Sequence, residues 1–107
     1  MTYTVFFVED AEKDLLGIYE YIKKEGYPMT ARQFHTQMKK VCESLSKLPK
    51  RGHIPTELER VGVFDYREIH LKVYRIVYQI IESRVYIHCI LDGKRDIQSI
   101  LQQRLLS

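Results

Sequence analysis

What this sequence has little of narrows its class before any motif is read. Its 107 residues hold two cysteines, Cys42 and Cys89, fewer than the disulfide frameworks of small secreted scaffolds use. No apolar run approaches the ~20 residues of a membrane-spanning helix. The opening MTYTVFFVED lacks a basic stretch, and its apolar run is too short for a secretory signal. The expectation is a cytoplasmic protein with free, mostly buried thiols and no membrane association. There is no repeat, no low-complexity segment, no glycine-rich phosphate loop and no nucleophile elbow. The histidines His35, His53, His70 and His88 have no metal-ligand spacing with one another or with the cysteines. Neither a metal nor another cofactor is therefore expected.

What is present describes one domain spanning residues 1–107. A chain of this length buries roughly two thirds of its unfolded surface, enough for a core without staples. With 45% hydrophobic and 29% charged residues, disorder is excluded. The net charge of +3 is unevenly spread. From Glu9 to Glu20 there are five acids and one base, Lys13; from Lys23 to His53 there are eight lysines and arginines against Glu25 and Glu43. The second stretch carries a positive field suited to nucleic acid or to an acidic protein, although a solvated helix face followed by a basic loop gives the same pattern.

The periodicity predicts the order β-α-α-β-β-β-α. Tyr3 to Val8 is aromatic and β-branched and reads as a strand. Ala11, Leu15, Ile18, Tyr19 and Ile22 lie on one helical face. Acids crowd that helix's start, Lys23 and Lys24 its end, and Gly26 with Pro28 stops it. Thr30 and Gln33 have capping-box spacing and open a second helix along Ala31, Phe34, Met38, Val41, Leu45 and Leu48, which Pro49 ends. At ~1.5 Å per residue it is roughly 28 Å long. After an irregular Pro49–Gly62 segment, pinned by Leu58 and Val61, come three strands, 63–71, 73–81 and 84–91. Along the last, Val85, Ile87, Cys89 and Leu91 alternate, and Glu82-Ser83 makes the hairpin turn. A short helix from Lys94 carries Ile97, Ile100, Leu101 and Leu105. The expected fold is α+β, a helical hairpin packed on a small antiparallel sheet. Ile18, Phe34, Met38, Val41, Leu45, Ile76, Tyr78, Ile87 and Cys89 form its core, and arginines alternate on the open face.

Those arginines are the candidate chemistry. Arg67, Arg75 and Arg95, with Lys94 beside the last, offer forks that suit phosphate or carboxylate. Equally, they can pair with Glu68, Asp92 or Asp96 and hold the sheet to the last helix. Arg84, beside a turn, reads as exposed.

The segments Tyr66-Arg67-Glu68-Ile69, Val73-Tyr74-Arg75-Ile76-Val77-Tyr78, Val85–Leu91 and Asp92-Gly93-Lys94-Arg95-Asp96, followed by Leu101 and Leu105, resemble the C-terminal half of RelE/ParE toxins. Asp14-Leu15, Ala31, Phe34, Leu48-Pro49, Gly52 and Pro55 extend the resemblance over nearly the whole chain. It implies a toxin of a type II toxin–antitoxin system, held by a cognate antitoxin whose acidic, partly disordered segment folds onto it.

RelE-like members are ribosome-dependent, metal-independent messenger RNA endonucleases that use basic residues and a C-terminal tyrosine. On that pattern the catalytic set is Arg67, Arg75 and Arg95, but the tyrosine position falls near Leu101, and no Tyr or His follows His88. ParE-like members poison DNA gyrase without chemistry of their own, and Arg95-Asp96 before a leucine-rich last helix resembles that branch more. Asp92 stands where many ParE-like toxins carry a histidine. On the ParE-like pattern Lys47, Lys50, Arg51, Arg67, Arg75, Lys94 and Arg95 are the target-binding residues. A third possibility is a regulatory relic of the toxin fold that no longer harms the cell.

Overall fold

The computed structural model describes residues 2–106. The elements run β1 (Thr4–Phe7), α1 (Glu9–Lys24), α2 (Pro28–Glu43), two short 3-10 turns (Ser44–Ser46 and Pro49–Arg51), α3 (Thr56–Glu59), β2 (Tyr66–Leu71), β3 (Tyr74–Ile81), β4 (Arg84–Asp92) and α4 (Ile97–Leu105). Among the described residues no helix is long and apolar enough to cross a membrane.

The strands form one sheet in the order β1-β4-β3-β2. β2, β3 and β4 are the expected antiparallel meander, but β1 lies parallel to β4, so the sheet is mixed. The course of α1 accounts for this. It continues in the direction of β1 along β4, where Asp14 meets Ile90 N, and α2 runs back, so the backbone N–H of Tyr3 at the start of β1 donates to Ser46 O at 2.8 Å. β2 then runs with β1, β3 against it and β4 with it again.

Pro28 does two things at once. It stops α1, and it occupies the first turn of α2, where its missing N–H costs nothing and its fixed φ favours the helix. The expected capping box at Thr30 therefore lies inside the helix. The buried stripe of this segment runs Ala31, Phe34, Met38, Cys42 and Leu45. Val41 is only half-buried, and Leu48 is 64% exposed, because the helix ends at Glu43 and tightens before Leu48. Ile18 is likewise half-buried, packed at the core margin.

The sheet is covered on both faces. Under the helical hairpin lie Leu15, Phe34, Met38, Leu45, Ile76, Tyr78, Val85 and Ile87. The opposite face, expected to be open, packs Leu58, Val77, Cys89, Leu91, Ile97 and Leu101 beneath α3 and α4. Leu58 anchors the irregular segment, whereas Val61 is exposed. A β-bulge divides the two sets. Val77 pairs with Cys89 but Tyr78 with Ile87, so β4 carries one extra residue, His88. Val85 and Ile87 face the hairpin, and Cys89 and Leu91 face α4, where unbroken alternation would have put all four on one side.

β1 ends at Phe7, and its last bond to β4 is from Val8 N to Ile87 O, 3.0 Å. Beyond that point side chains replace the missing strand. Asp14 Oδ2 accepts from Ile90 N at 2.9 Å. Arg104 donates through Nη1 to both Asp14 oxygens at 3.0 and 2.9 Å, and through Nη2 to His88 O at 2.8 Å. Backbone groups at a buried sheet edge need such partners.

Leu45→Ala is expected to cost about 2–5 kcal/mol, through lost burial and a cavity. Arg104→Met is expected to cost roughly 1.5–3 kcal/mol, since it removes charged hydrogen bonds to a half-buried carboxylate and a bulge carbonyl. Urea denaturation at fixed pH measures both; a cost below ~0.5 kcal/mol for either would contradict the packing described.

Candidate functional site

The expected cationic residues come to rest in three different settings. Lys47, Lys50 and Arg51 are exposed on the two 3-10 turns after α2, with Arg51 Nη2 donating to Ser44 Oγ at 2.7 Å. Arg67 reaches this segment from β2, its Nη1 donating to Lys50 O at 3.2 Å and Gly52 O at 2.7 Å. Lys50 and Arg67, with Phe64, Asp65, Gln79 and Ile80, line a shallow cleft. Lys94 and Arg95 are exposed on the turn after β4, where Arg95 borders a groove with Lys13, Tyr21, Tyr74 and Asp92.

Arg75 belongs to neither group. Its Nε and Nη2 donate to Glu68 Oε2 and Oε1 at 2.6 and 2.8 Å, and Nη1 and Nη2 donate to Glu57 Oε2 and Oε1 at 2.7 Å each. The guanidinium thus ties α3 to the sheet between two carboxylates. The expectation of an outward-facing Arg75 free for a target is corrected by this geometry. The alternative of an Arg75–Glu68 pair is what forms, while Arg67 holds the loop through backbone carbonyls. Hydrogen bonds to Glu57 hold the Arg75 pKa above its ordinary value, and those same bonds hold the Glu57 carboxyl below the usual carboxylate range.

The loop over β3 owes its path to one glycine. The buried hydroxyl of Tyr78 donates to Pro49 O at 2.6 Å and accepts from Gly52 N at 3.1 Å. A Cβ at Gly52 would lie 2.5 Å from that hydroxyl and 2.6 Å from Glu68 O, so no larger residue fits unless the loop moves. The next residue, His53, then forms a β-bridge with Glu68. This bridge brings His53, Glu68 and His70 together, their side-chain ligand atoms all within 4.8 Å of one another. Spacing could not reveal this, because the loop reaches β2 through the close packing at Gly52 and the His53–Glu68 bridge.

Glu57 and Arg104 were also absent from the expected set. A Glu-rich short helix gives little periodic signal, and Arg104 sits in the last turn of a helix read for its leucines. The thiols match expectation: Cys42 and Cys89 are free and buried, and burial pushes each up to about 12. Leu101, near which the resemblance to RelE-like toxins puts their tyrosine, is fully buried in the cluster beneath α4.

Two changes follow for stability. Gly52→Ala is expected to cost about 1–3 kcal/mol by overpacking the loop against Tyr78. A depressed carboxyl pKa contributes stability that is full above the ordinary glutamate value of 4.5 and lost as pH falls through the folded pKa. Glu57→Gln should therefore flatten the decline of stability below about pH 4.5. Asp14 has the opposite sign. Burial raises its pKa above 3.8 despite Ile90 N and Arg104, so its contribution is present at acid pH and lost as pH rises through the folded value. Denaturation midpoints from pH 3 to pH 7 (an approximate window about the carboxylate range) test both signs.

The chain's relatives agree with this fold. A solved chain from the chromosomal ParDE toxin–antitoxin system of P. aeruginosa superposes with a TM-score of 0.68 at 15% identity, covering 83% of this chain and 94% of that one. A mutant of the E. coli toxin RelE in its free state superposes with a TM-score of 0.60 at 21% identity, covering 94% and 93%. Among curated proteins none matches the sequence. The family profile described as the ParE toxin of the type II toxin–antitoxin system parDE matches residues 5–97, and the chain belongs to that family.

Proposed function

We propose that this chain is a ParE-like toxin that inhibits DNA gyrase by binding, without chemistry of its own, and is neutralised by a cognate antitoxin. The observation that carries the choice of binding over cleavage is the engagement of Arg75 by Glu57 and Glu68. A nuclease built on Arg67, Arg75 and Arg95 needs all three forks turned toward a phosphate. Here Arg75 is neutralised between two carboxylates, Arg67 is spent on loop carbonyls, and Leu101 is core.

Target contact then falls to the cations that face solvent: Lys47, Lys50 and Arg51 on one rim, with Arg67 beneath them, and Lys94 with Arg95 on the other. The antitoxin has a different surface available. Glu12, Leu16 and Tyr19 from α1 line a groove with Arg32, His35 and Lys39 from α2. An apolar floor and a rim on which Arg32 and Lys39 outnumber Glu12 suit an acidic segment that folds on binding.

Purified protein added to gyrase, ATP and relaxed plasmid is expected to abolish supercoiling and to leave trapped, cleaved DNA. The paired reversals Lys50→Glu/Arg51→Glu and Lys94→Glu/Arg95→Glu change exposed residues and should leave stability within about 0.5 kcal/mol. At least one pair should weaken inhibition tenfold or more. Arg75→Ala is a poor discriminator, since it leaves two carboxylates facing each other and loosens the fold under either reading. Full supercoiling in the presence of protein that still arrests growth would overturn the gyrase reading and direct the search to translating ribosomes.

A further inference from the structure

We propose that His53, Glu68 and His70 form a binding site for a divalent transition metal of the zinc class. His53 Nε2 lies 3.2 Å from Glu68 Oε1, and His70 Nε2 lies 3.3 Å from Glu68 Oε2. Two donors bound at ~2.1 Å around a tetrahedral ion stand roughly 3.4 Å apart, so each imidazole is already at ligand spacing from the carboxylate. The two rings meet edge to face with centroids 5.5 Å apart.

The donors are built on rigid parts. His53 is fixed by its bridge to Glu68, with N–H to O bonds of 3.1 and 2.7 Å in the two directions. His70 is two residues beyond Glu68 on β2, on the same side of the strand. Glu68 is 2% exposed, and Arg75 holds its carboxylate through both oxygens, as an outer-shell partner does in metal sites. Each carboxylate oxygen accepts one Arg75 bond, which leaves lone-pair capacity for a cation.

Charge points the same way. Glu57 and Glu68 carry two negative charges, and Arg75 returns one positive charge. The trio keeps one uncompensated negative charge beside two imidazoles that are neutral ligands in their unprotonated form. Both imidazoles are more than half exposed, so they can adjust to an ion, and the outward coordination position is open to water. Nitrogen and oxygen donors of this kind suit zinc and its neighbours rather than calcium or magnesium. A bound ion would fasten the segment carrying Lys47, Lys50 and Arg51 to β2, but the site stands whether or not that segment meets gyrase.

The test uses the full, tag-free chain stripped with chelator and titrated with zinc by calorimetry, and with cobalt by visible absorption. One equivalent of zinc is expected to bind, with a rise in the thermal midpoint and cobalt bands free of thiolate charge transfer. His53→Gln and His70→Gln should each weaken binding by about a hundredfold (beyond the 10–100-fold cost of losing an outer-shell partner), while His35→Gln should not. Both replaced residues are exposed, and an unchanged urea midpoint without metal confirms that the variants fold. Absence of binding below millimolar zinc, binding unchanged in both variants, or thiolate bands from Cys42 or Cys89 would each overturn the assignment.

Discussion

A carboxylate and a guanidinium, Asp14 on α1 and Arg104 on α4, meet at the stretch of β4 that β1 does not reach. Everything around them relies on that meeting. The bulge at His88 lets one strand feed two cores, but it also leaves backbone groups of residues 88 and 90 facing the margin of the sheet. An apolar filling there would strand those groups, at a cost of several kcal/mol in the worst case. A charged pair supplies one acceptor, for Ile90 N, and one donor, for His88 O, and it joins the first helix, the last strand and the last helix in a single contact. Burial outweighs Arg104 in setting the Asp14 pKa. The pair's value therefore lies in satisfying the bulge and fixing the helices, more than in Coulombic attraction.

Arg75 does related work on the other side of the sheet. α3 is one turn long, has no side-chain cap, and would not persist alone in water. Leu58 gives it an apolar anchor, and the Glu57–Arg75 pair with Gln98 bonded to Glu57 O fixes its orientation toward β3 and α4. A side chain that looked available for a phosphate is consumed in assembling the fold. In a toxin domain this separates the residues that build the scaffold from those left to recognise a target.

Much of the fold was legible because local rules dominate it. The stripe of Ala31, Phe34 and Met38, the meander from Tyr66 to Asp92 and the turn at Glu82-Ser83 all follow from period and turn chemistry. The parallel placement of β1 was not legible, because it depends on α1 continuing in the direction of β1 along β4 before α2 returns. The bulge escaped because Cys89-Ile90-Leu91 is apolar at every position, and such a run does not reveal where alternation slips. The site was less legible for a different reason. Whether Arg67, Arg75 or Arg95 faces solvent depends on partners 7 to 18 residues away or on none, and sequence spacing does not say which ion pair forms. The cluster of His53, Glu68 and His70 depends on the absence of a side chain at Gly52, which is a fact about space and not about pattern.

The pairing of β1 with β4 also sets a timetable. The first strand finds its hydrogen-bonded neighbour only when residues 84–87 exist, and Asp14 acquires its guanidinium only with residue 104. A chain growing from its N-terminus carries an unpaired strand edge and an unpartnered carboxylate through most of its synthesis. Such late, non-local closure slows folding and exposes an edge to other chains. Until residues 84–87 and 104 have emerged, the edge of β1 and the carboxylate of Asp14 lack the partners that the folded domain gives them.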